Sequence, residues 1–400
     1  MLDLPVPRPV DPGSDWDVVV AGAGPAGSVA AAHAARAGLR VLLVDRHAFP
    51  RDKVCGDGLI ADTLGALDRI GALAPVESRA RVVDRTTIYS ASRHRIELTG
   101  TFLTLKRLEL DTILAARAID HGAKLATATV ENIRPDATGV TVTLSDPDRE
   151  VRAQYAIVAT GADRVLGRRA GLPLTTTPSA IAVRCYVRST AGIDRLLISY
   201  DRDIVPGYAW IFPLRHDEYN IGCGVFYRDG VRGAVNLRRM FDRFVETFPE
   251  ARDLMRGAVS ATPLKGAPLQ CGLAPVEPVL PRVLPVGETM NTTFPFTGEG
   301  IGKAMESGEL AAVVVIDAVE SREPGRLAAF SAEIRRRMEP KYLGYRAAER
   351  WLSRPWVTDL LARRARHSRF VRQALGGILN ETIDPRTVFS LRGLARSLYR

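Results

Sequence analysis

The sequence is poor in the residues that build metal sites and disulfides. It has four cysteines in 400 residues, at positions 55, 185, 223 and 271, and no CxxC pair. Its six histidines are scattered, without the HxxxH or HxE spacing found in metalloenzymes. We therefore expect reduced thiols and no metal site.

Long apolar runs are also missing. The longest, such as residues 311–316, are far shorter than the roughly 20 residues that a membrane-spanning helix needs. Residues 1–14 contain an early Asp3 and several prolines, where a secretory signal has a basic start followed by an apolar run. The sequence predicts a flexible tail over 1–14 and a cytoplasmic protein.

Excess positive charge is confined to one end of the chain. The sequence has 55 Lys or Arg and 45 Asp or Glu, and residues 331–400 contain 16 of the former and 6 of the latter. There, arginine clusters alternate with apolar residues at helical spacing. Packed helices with solvated arginine faces are the favoured interpretation, and peripheral contact with an anionic membrane is the alternative. No reader motif accompanies the charge, so we predict no nucleic-acid partner.

A strand, a glycine turn, a helix and a second strand are predicted over residues 16–46. The three glycines of the turn allow a tight bend, the approach of a pyrophosphate and close helix packing. The helix N-terminus offers unpaired N–H groups to phosphates, and the acid that closes the second strand is placed to accept ribose hydroxyls. The residues of this predicted dinucleotide site are Gly22, Gly24, Pro25, Ala26, Gly27, Asp45 and Arg46.

The remaining elements predict an α/β fold with an α+β second domain. A Rossmann-like dinucleotide-binding domain is interleaved with an antiparallel substrate-binding sheet and followed by basic C-terminal helices. The predicted boundaries are 15–80, 105–175 and 271–345 for the first domain, 81–104 and 176–270 for the sheet domain, and 346–400 for the helices.

Five motifs follow one another along the chain. They are the glycine turn, KVCGDGL at 53–59, Arg107 with Asp111, YAWIFP at 208–213, and GE at 287–288 with PFTGEGI at 295–301. Together they resemble the geranylgeranyl reductase family, a branch of the flavoproteins built like para-hydroxybenzoate hydroxylase, over about residues 15–330. The resemblance implies FAD as the cofactor. Only one GxGxxG occurs, so the sequence encodes no dedicated nicotinamide domain. We therefore expect reducing equivalents to come from transient NAD(P)H or from a separate electron-donor protein.

The resemblance also implies roles for individual residues. Cys55 lies beside the flavin, Arg107 contacts the phosphates or the adenosine side, and Val130 provides a backbone contact to adenine. Further implied flavin contacts are Gly56, Gly58, Gly161, Gly287, Glu288, Pro295, Gly298, Gly300 and Ile301. Aromatic residues on the substrate side are Tyr208, Trp210 and Phe212. An aromatic strand face is also common in an ordinary core. Cys55 is alternatively a redox thiol or a small buried apolar residue, and contact or packing is favoured over redox chemistry because no disulfide partner is evident.

The implied activity is that of an FAD-dependent oxidoreductase that reduces a C=C bond of a hydrophobic isoprenoid or specialised metabolite. Tyr208 and Lys53 are the candidate catalytic residues. Flavin-dependent halogenases have a related architecture, a similar WxWxIP element and an essential lysine, so a halogenase or monooxygenase is an alternative. A non-redox flavin-scaffold protein that binds or cyclises its ligand is another. The family usually has Asp at the position of Glu288, which leaves the ribityl geometry open.

Overall fold

The fold is known from a computed structural model. It describes residues 15–145, 149–175, 177–204, 207–227, 235–273 and 280–390. The tail predicted over 1–14 and the last ten residues of the predicted C-terminal segment lie outside the described residues.

The described residues form two sheets and a set of helices. The strands are β1 Trp16–Ala21, β2 Val41–Asp45, β3 Gly58–Leu59, β4 Arg81–Tyr89, β5 Arg95–Thr104, β6 Lys124–Thr127, β7 Val130–Pro135, β8 Val140–Leu144, β9 Arg149–Val158, β10 Ala180–Ser189, β11 Leu196–Ser199, β12 Gly207–Pro213, β13 Glu218–Phe226, β14 Ala258–Ala261, β15 Lys265–Leu269 and β16 Val283–Pro285. The helices are α1 Pro25–Arg36, α2 Ala61–Arg69, α3 Leu73–Glu77, α4 Arg107–Asp120, α5 Val165–Arg169, α6 Leu237–Thr247, α7 Pro249–Arg256, α8 Ile301–Ser321, α9 Ala328–Arg337, α10 Glu339–Leu352, α11 Pro355–His367 and α12 Arg369–Leu379.

The first sheet carries the predicted strand–turn–helix–strand unit. Its order is β6-β2-β1-β9-β8-β7, and β16 also pairs with β9. The pairs among β6, β2, β1, β9 and β16 are parallel, so β1 and β16 end at the same edge. Helices α1 and α8 cross closely over this sheet, since a Cβ added to Gly308 would lie 2.2 Å from the Ala26 carbonyl oxygen. Helix α1 follows β1 and helix α8 follows β16, so both begin at the carboxyl edge of this sheet, where α/β folds bind ligands.

The second sheet has the order β14-β10-β13-β12-β11-β4-β5-β3, with β15 also paired to β10. All its pairs are antiparallel except β4 with β11. Along β12 the side chains alternate between the two faces. Ala209 and Ile211 pack on one face with Phe244 and Leu254 of the helices α6 and α7. The aromatic residues of β12 consequently face the other way, toward the first sheet.

The C-terminal helices cover one end of the second sheet. Ile96 and Leu98 of β5 share an apolar cluster with Val357, Leu361 and Val371. Within the described part of the chain, none of the helices combines the length and hydropathy that crossing a bilayer requires. The strands predicted for the sheet domain, over 81–104 and 176–270, all belong to this second sheet, although β3 of the KVCGDGL segment joins it as well. The domain boundaries themselves stay a prediction.

Candidate active site

A continuous cavity of about 640 Å³ runs between the two sheets and beneath the C-terminal helices. It brings together Lys53, the three aromatic residues of β12 and the predicted cofactor residues other than Gly27 and Pro295. Gly27 instead serves packing, because a Cβ there would lie 1.8 Å from the Gly22 carbonyl oxygen. Pro295 is buried in the loop before α8.

The glycine turn has the geometry of a phosphate site. Gly22 has a φ of +106°, and its N–H donates to the Val44 carbonyl at 2.7 Å. A side chain at this position would collide with the Ala159 carbonyl, 2.4 Å from the added Cβ. Gly24 caps α1 without any side-chain hydrogen bond, so the first N–H groups of the helix remain available to an anion.

Two arginines lie over this turn. The guanidiniums of Arg51 and Arg107 approach to 3.9 and 3.8 Å from where a Cβ of Gly24 would be. Both pair with the fully buried Asp111, at 2.9 Å from Arg51 and 2.6 Å from Arg107. Arg51 also pairs with Asp45 at 3.0 Å. The two guanidiniums are thus fixed beside the predicted pyrophosphate position, and Arg51 was not among the residues predicted from sequence.

Asp45 is itself engaged by the turn. Its carboxylate accepts hydrogen bonds from the Ala23 N–H at 2.9 Å and from the His47 N–H at 3.0 Å, besides the contact with Arg51. Arg46 pairs with Asp163 at 3.0 Å at the exposed rim of the cavity. The Asp45 carboxylate therefore stabilises the glycine turn and also lines the cavity.

The loop at 294–300, called the flavin loop below, lines the end of the cavity that is opposite the glycine turn. Gly298 has a φ of +69°, and a Cβ there would lie 2.6 Å from the Tyr208 hydroxyl oxygen. The Tyr208 hydroxyl donates to the Thr297 carbonyl at 2.5 Å, and burial raises the pKa of this phenol. Helix α8 begins directly after Gly300 without a side-chain cap, which leaves its N-terminal N–H groups for a ligand such as the flavin pyrimidine.

Glu288 lies between the two ends. Gly287, with a φ of +62°, donates its N–H to the Ser307 hydroxyl at 2.8 Å and so fixes the turn. One oxygen of Glu288 accepts from the Gln270 N–H at 3.0 Å, and the other lies 3.9 Å from where a Cβ of Gly161 would be. Burial raises the pKa of Glu288, and the charge of Lys53 acts in the opposite direction. The carboxylate keeps one oxygen for a ligand hydroxyl.

The aromatic face of β12 packs across the KVCGDGL segment at 53–59, called the cysteine-glycine segment below. A Cβ at Gly56 would lie 3.5 Å from the Phe212 ring and 3.8 Å from the Trp210 indole nitrogen. Burial raises the pKa of the Cys55 thiol, which accepts a hydrogen bond from the Asp57 N–H at 3.4 Å. A raised pKa lowers the fraction of reactive thiolate, which favours contact or packing for Cys55 over redox chemistry.

Beyond the aromatic face the cavity continues as an apolar arm. It reaches between the second sheet and the C-terminal helices α10, α11 and α12. The apolar residues that line this arm include Ile88, Ile96, Phe102, Leu196, Ile198, Leu352, Leu361, Leu375, Ile378, Leu379 and Phe389. No local sequence motif predicted that the C-terminal helices line the cavity, because each helix or strand contributes only one to three of the residues of the apolar arm.

Comparison with known proteins places the chain in a family. Residues 15–189 match the profile described as "FAD binding domain". Menaquinone reductase of Mycolicibacterium smegmatis is 34% identical over 314 residues, which are 74% of this chain and 75% of that protein. Digeranylgeranylglycerophospholipid reductase 1 of Methanopyrus kandleri is 32% identical, over 76% of this chain and 82% of that protein. The chain belongs to the geranylgeranyl reductase family.

The solved structures show the fold of the chain. A geranylgeranyl bacteriochlorophyll reductase-like protein from Thermoplasma acidophilum has a TM-score of 0.78 and 24% identity, over 97% of this chain and 96% of that chain. A flavin-dependent brominase has a TM-score of 0.76 at 16% identity, over 96% of this chain and 98% of that chain, which shows a shared fold alone. The predicted fold class and the FAD cofactor are confirmed. This family member is an FAD-dependent oxidoreductase.

An acidic cluster lies beside the flavin loop, and the sequence did not predict it. Carboxylate oxygens of Asp62, Glu299 and Glu381 lie within 4.8 Å of one another. The fully buried Lys303 places its Nζ 3.0 Å from Asp62, 2.6 Å from Glu381 and 3.3 Å from Glu306. The Lys303 ammonium therefore pairs with two of these three acids, and the cluster forms an ion-pair network that ties α2, α8 and the segment after α12 together.

Proposed function

We propose that the protein reduces C=C bonds in the polyprenyl chain of a hydrophobic substrate, with reduced FAD as the hydride source. The observation that carries the proposal is the apolar arm, which extends from the cofactor side of the cavity to the C-terminal helices. A long apolar cavity takes a long apolar ligand, because burial of its surface is worth about 25 cal/mol per Å². Relatives named for menaquinone and for digeranylgeranylglycerophospholipid support a prenylated substrate.

The residues of this chain bind, orient and exclude water. When bound and reduced, FAD would supply the hydride for one carbon of the double bond, and a proton from solvent or a cavity acid would complete the reduction at the other. Trp210 and Phe212 form the wall on which the chain lies opposite the cysteine-glycine segment. The α8 N-terminus stabilises negative charge at the edge of the cavity that Gly298 and Gly300 line.

The two candidate proton donors differ in their surroundings. The Tyr208 hydroxyl donates its hydrogen bond to the Thr297 carbonyl, and burial raises its pKa. It is therefore suited to holding the loop. Lys53 lines the cavity close enough to Glu288 for its charge to lower the pKa of that carboxyl. We therefore propose that Tyr208 positions the flavin loop. Lys53 is the candidate for electrostatic stabilisation near Glu288, on the ribityl side of the cofactor.

We further propose that the protein acts at the surface of an anionic membrane. On α11, Trp356 is 57% and Leu360 is 36% exposed, whereas the neighbouring Leu361 is buried and lines the apolar arm. Arg354, which directly precedes the helix, and Arg363 on the helix are both exposed. An aromatic and apolar face with flanking arginines favours the boundary of an anionic bilayer, where a prenylated substrate resides. Reducing equivalents come from transient NAD(P)H or from a separate donor protein.

Product analysis tests the proposed reaction. The FAD-loaded protein is reduced with dithionite without oxygen, incubated with geranylgeraniol in detergent, and the product is examined by mass spectrometry. We expect a mass gain of two hydrogens for each double bond reduced. The matched control contains a flavin analogue that cannot be reduced. A cyclised product of unchanged mass that forms equally well with this analogue would support a non-redox scaffold instead.

A further inference from the structure

A buried polar network lies between the cysteine-glycine segment and the aromatic face. Its centre is Asp57, whose side chain is fully buried. One of its carboxylate oxygens accepts from the Tyr186 hydroxyl at 2.7 Å and from the Asn220 side-chain amide at 2.8 Å. The other accepts from the backbone N–H of Arg107 at 3.3 Å. One carboxylate thus joins the cofactor side of the cavity to two strands of the second sheet.

Asn220 extends this network to the substrate wall. Its amide nitrogen also donates to the Cys55 carbonyl at 2.8 Å, and its amide oxygen accepts from the Trp210 indole N–H at 2.9 Å. Both partners of the nitrogen are pure acceptors and the partner of the oxygen is a pure donor, so the amide has a single acceptable orientation. Every hydrogen-bonding capacity of the amide nitrogen is therefore used to hold the segment and the ring together.

The Trp210 ring has little other freedom. It lies directly over Gly222, where an added Cβ would be 2.3 Å from the ring. Trp210 and Gly222 are register partners on β12 and β13, and Asn220 lies opposite Phe212 two positions along. The glycine makes room for the indole, and the asparagine fixes its direction.

The segment is held from the β10 side as well. The Tyr186 ring lies between two cations, with Lys106 Nζ at 4.6 Å and the Arg184 guanidinium at 4.1 Å from its centroid. Arg184, which is 1% exposed, pairs with Asp52 at 2.7 Å. The segment from Asp52 to Asp57 is thus anchored at both ends, and its position relative to β13 is fixed.

We propose that Asn220 and Asp57 are positioning residues, which hold Trp210 at one orientation against the cysteine-glycine segment and thereby set the affinity of the cavity for a prenyl chain. The inference deepens the proposed function and rests on it for the class of ligand. Without Asn220 the indole N–H loses its buried acceptor, and the ring leaves the orientation that completes the wall. Asn220 also holds the Cys55 carbonyl and Asp57, but it does not line the cavity, whereas Trp210 does. The proposal therefore requires that the effects of replacing Asn220 and Trp210 on probe binding do not add.

A binding cycle tests this, using oxidised FAD-loaded protein and geranylgeraniol as the probe, with the change in flavin absorbance as the signal. Trp210→Phe removes only the indole hydrogen bond to Asn220 and keeps a ring, whereas Asn220→Ala also removes the bonds to Cys55 and Asp57. We expect each variant to bind the probe about tenfold more weakly and the double variant to bind no more than about tenfold more weakly. FAD affinity and melting temperature report folding, and Asn132→Ala, on the first sheet, is the matched control.

Two outcomes would overturn the proposal: unchanged binding in Asn220→Ala, or a double variant weakened by the product of the single effects. If Asn220→Ala does not fold, Trp210→Phe alone decides, because unchanged binding there removes the role of the indole hydrogen bond. The readout needs no turnover. A wild-type protein that binds the probe without reducing it would contradict the proposed function and leave this cycle interpretable.

Discussion

The Tyr208 hydroxyl donates to the Thr297 carbonyl at 2.5 Å, and this single hydrogen bond joins the aromatic strand β12 to the loop that precedes α8. The bond runs from the predicted substrate wall to the predicted flavin loop. Its hydrogen is directed at a backbone oxygen, and burial raises the pKa of the phenol, so the hydroxyl is placed to hold the loop and not to protonate substrate.

Tyr208→Phe separates these two roles. Loss of one buried hydrogen bond costs about 1 kcal/mol, so we expect kcat to fall by no more than about tenfold and FAD binding to weaken slightly. Tyr227→Phe, which lies outside the cavity lining, is the control. A loss of kcat of about a thousandfold with unchanged FAD affinity would identify Tyr208 as the proton donor instead.

Arg51→Gln tests the arginine that sequence motifs did not reveal. We expect the dissociation constant of FAD to rise by about tenfold or more, because a charge beside the pyrophosphate is lost and the buried Asp111 loses one of the two arginines that pair with it among the described residues. Fluorescence titration of the apoprotein measures it. Arg238→Gln removes an exposed arginine on α6 and should leave FAD binding unchanged; equal FAD affinity in both variants would contradict the site.

Neighbouring leucines on α11 test the apolar arm. Leu361 lines the arm and Leu360 is exposed, so tryptophan at these positions should have opposite consequences. We expect Leu361→Trp to abolish reduction of geranylgeraniol while a short prenol is still reduced, since the added ring occupies the space of the chain. Leu360→Trp should retain both activities. Identical chain-length preference in the two variants would mean that the chain does not enter this arm.

Glu299 should make stability depend on pH. Burial, reinforced by Asp62 and Glu381, raises the pKa of Glu299 well above its ordinary value of 4.5. The folded state keeps this proton while the unfolded state releases it, so stability falls as pH rises from about 4.5 toward the folded pKa. Glu299→Gln removes that loss, and we expect its melting temperature relative to wild type to be higher at pH 8 than at pH 5. Glu320→Gln, exposed on α8, is the control; a constant difference across pH would refute the assignment.

Trp356→Gln tests membrane contact. Removing the exposed indole from α11 should reduce co-sedimentation with vesicles that contain phosphatidylglycerol. Val259→Gln changes an equally apolar position, 75% exposed on β14, and should have no effect. Binding that is the same in both variants, or that is equally strong to neutral phosphatidylcholine vesicles, would argue against a site on α11.

The sequence predicted the parts of the site that place demands on local backbone. Gly22, Gly287 and Gly298 adopt positive φ in the structure, and short motifs report such positions directly. Arg51 and Asn220 were missed because their importance comes from partners distant in sequence, 60 residues away for Asp111 and 163 for Asp57. The apolar arm was missed for the same reason, since it is assembled from single residues of several strands and helices.

The most direct test of the central claim follows the flavin itself. Reduced, FAD-loaded protein is mixed with geranylgeraniol under strictly anaerobic conditions, and flavin absorbance is recorded over time. We predict that the oxidised flavin spectrum returns as the prenyl chain gains hydrogen, at a rate that saturates with substrate and is lost in Leu361→Trp. A flavin that stays reduced until oxygen is admitted, and substrate that then acquires oxygen or halogen, would contradict the assignment as a C=C reductase.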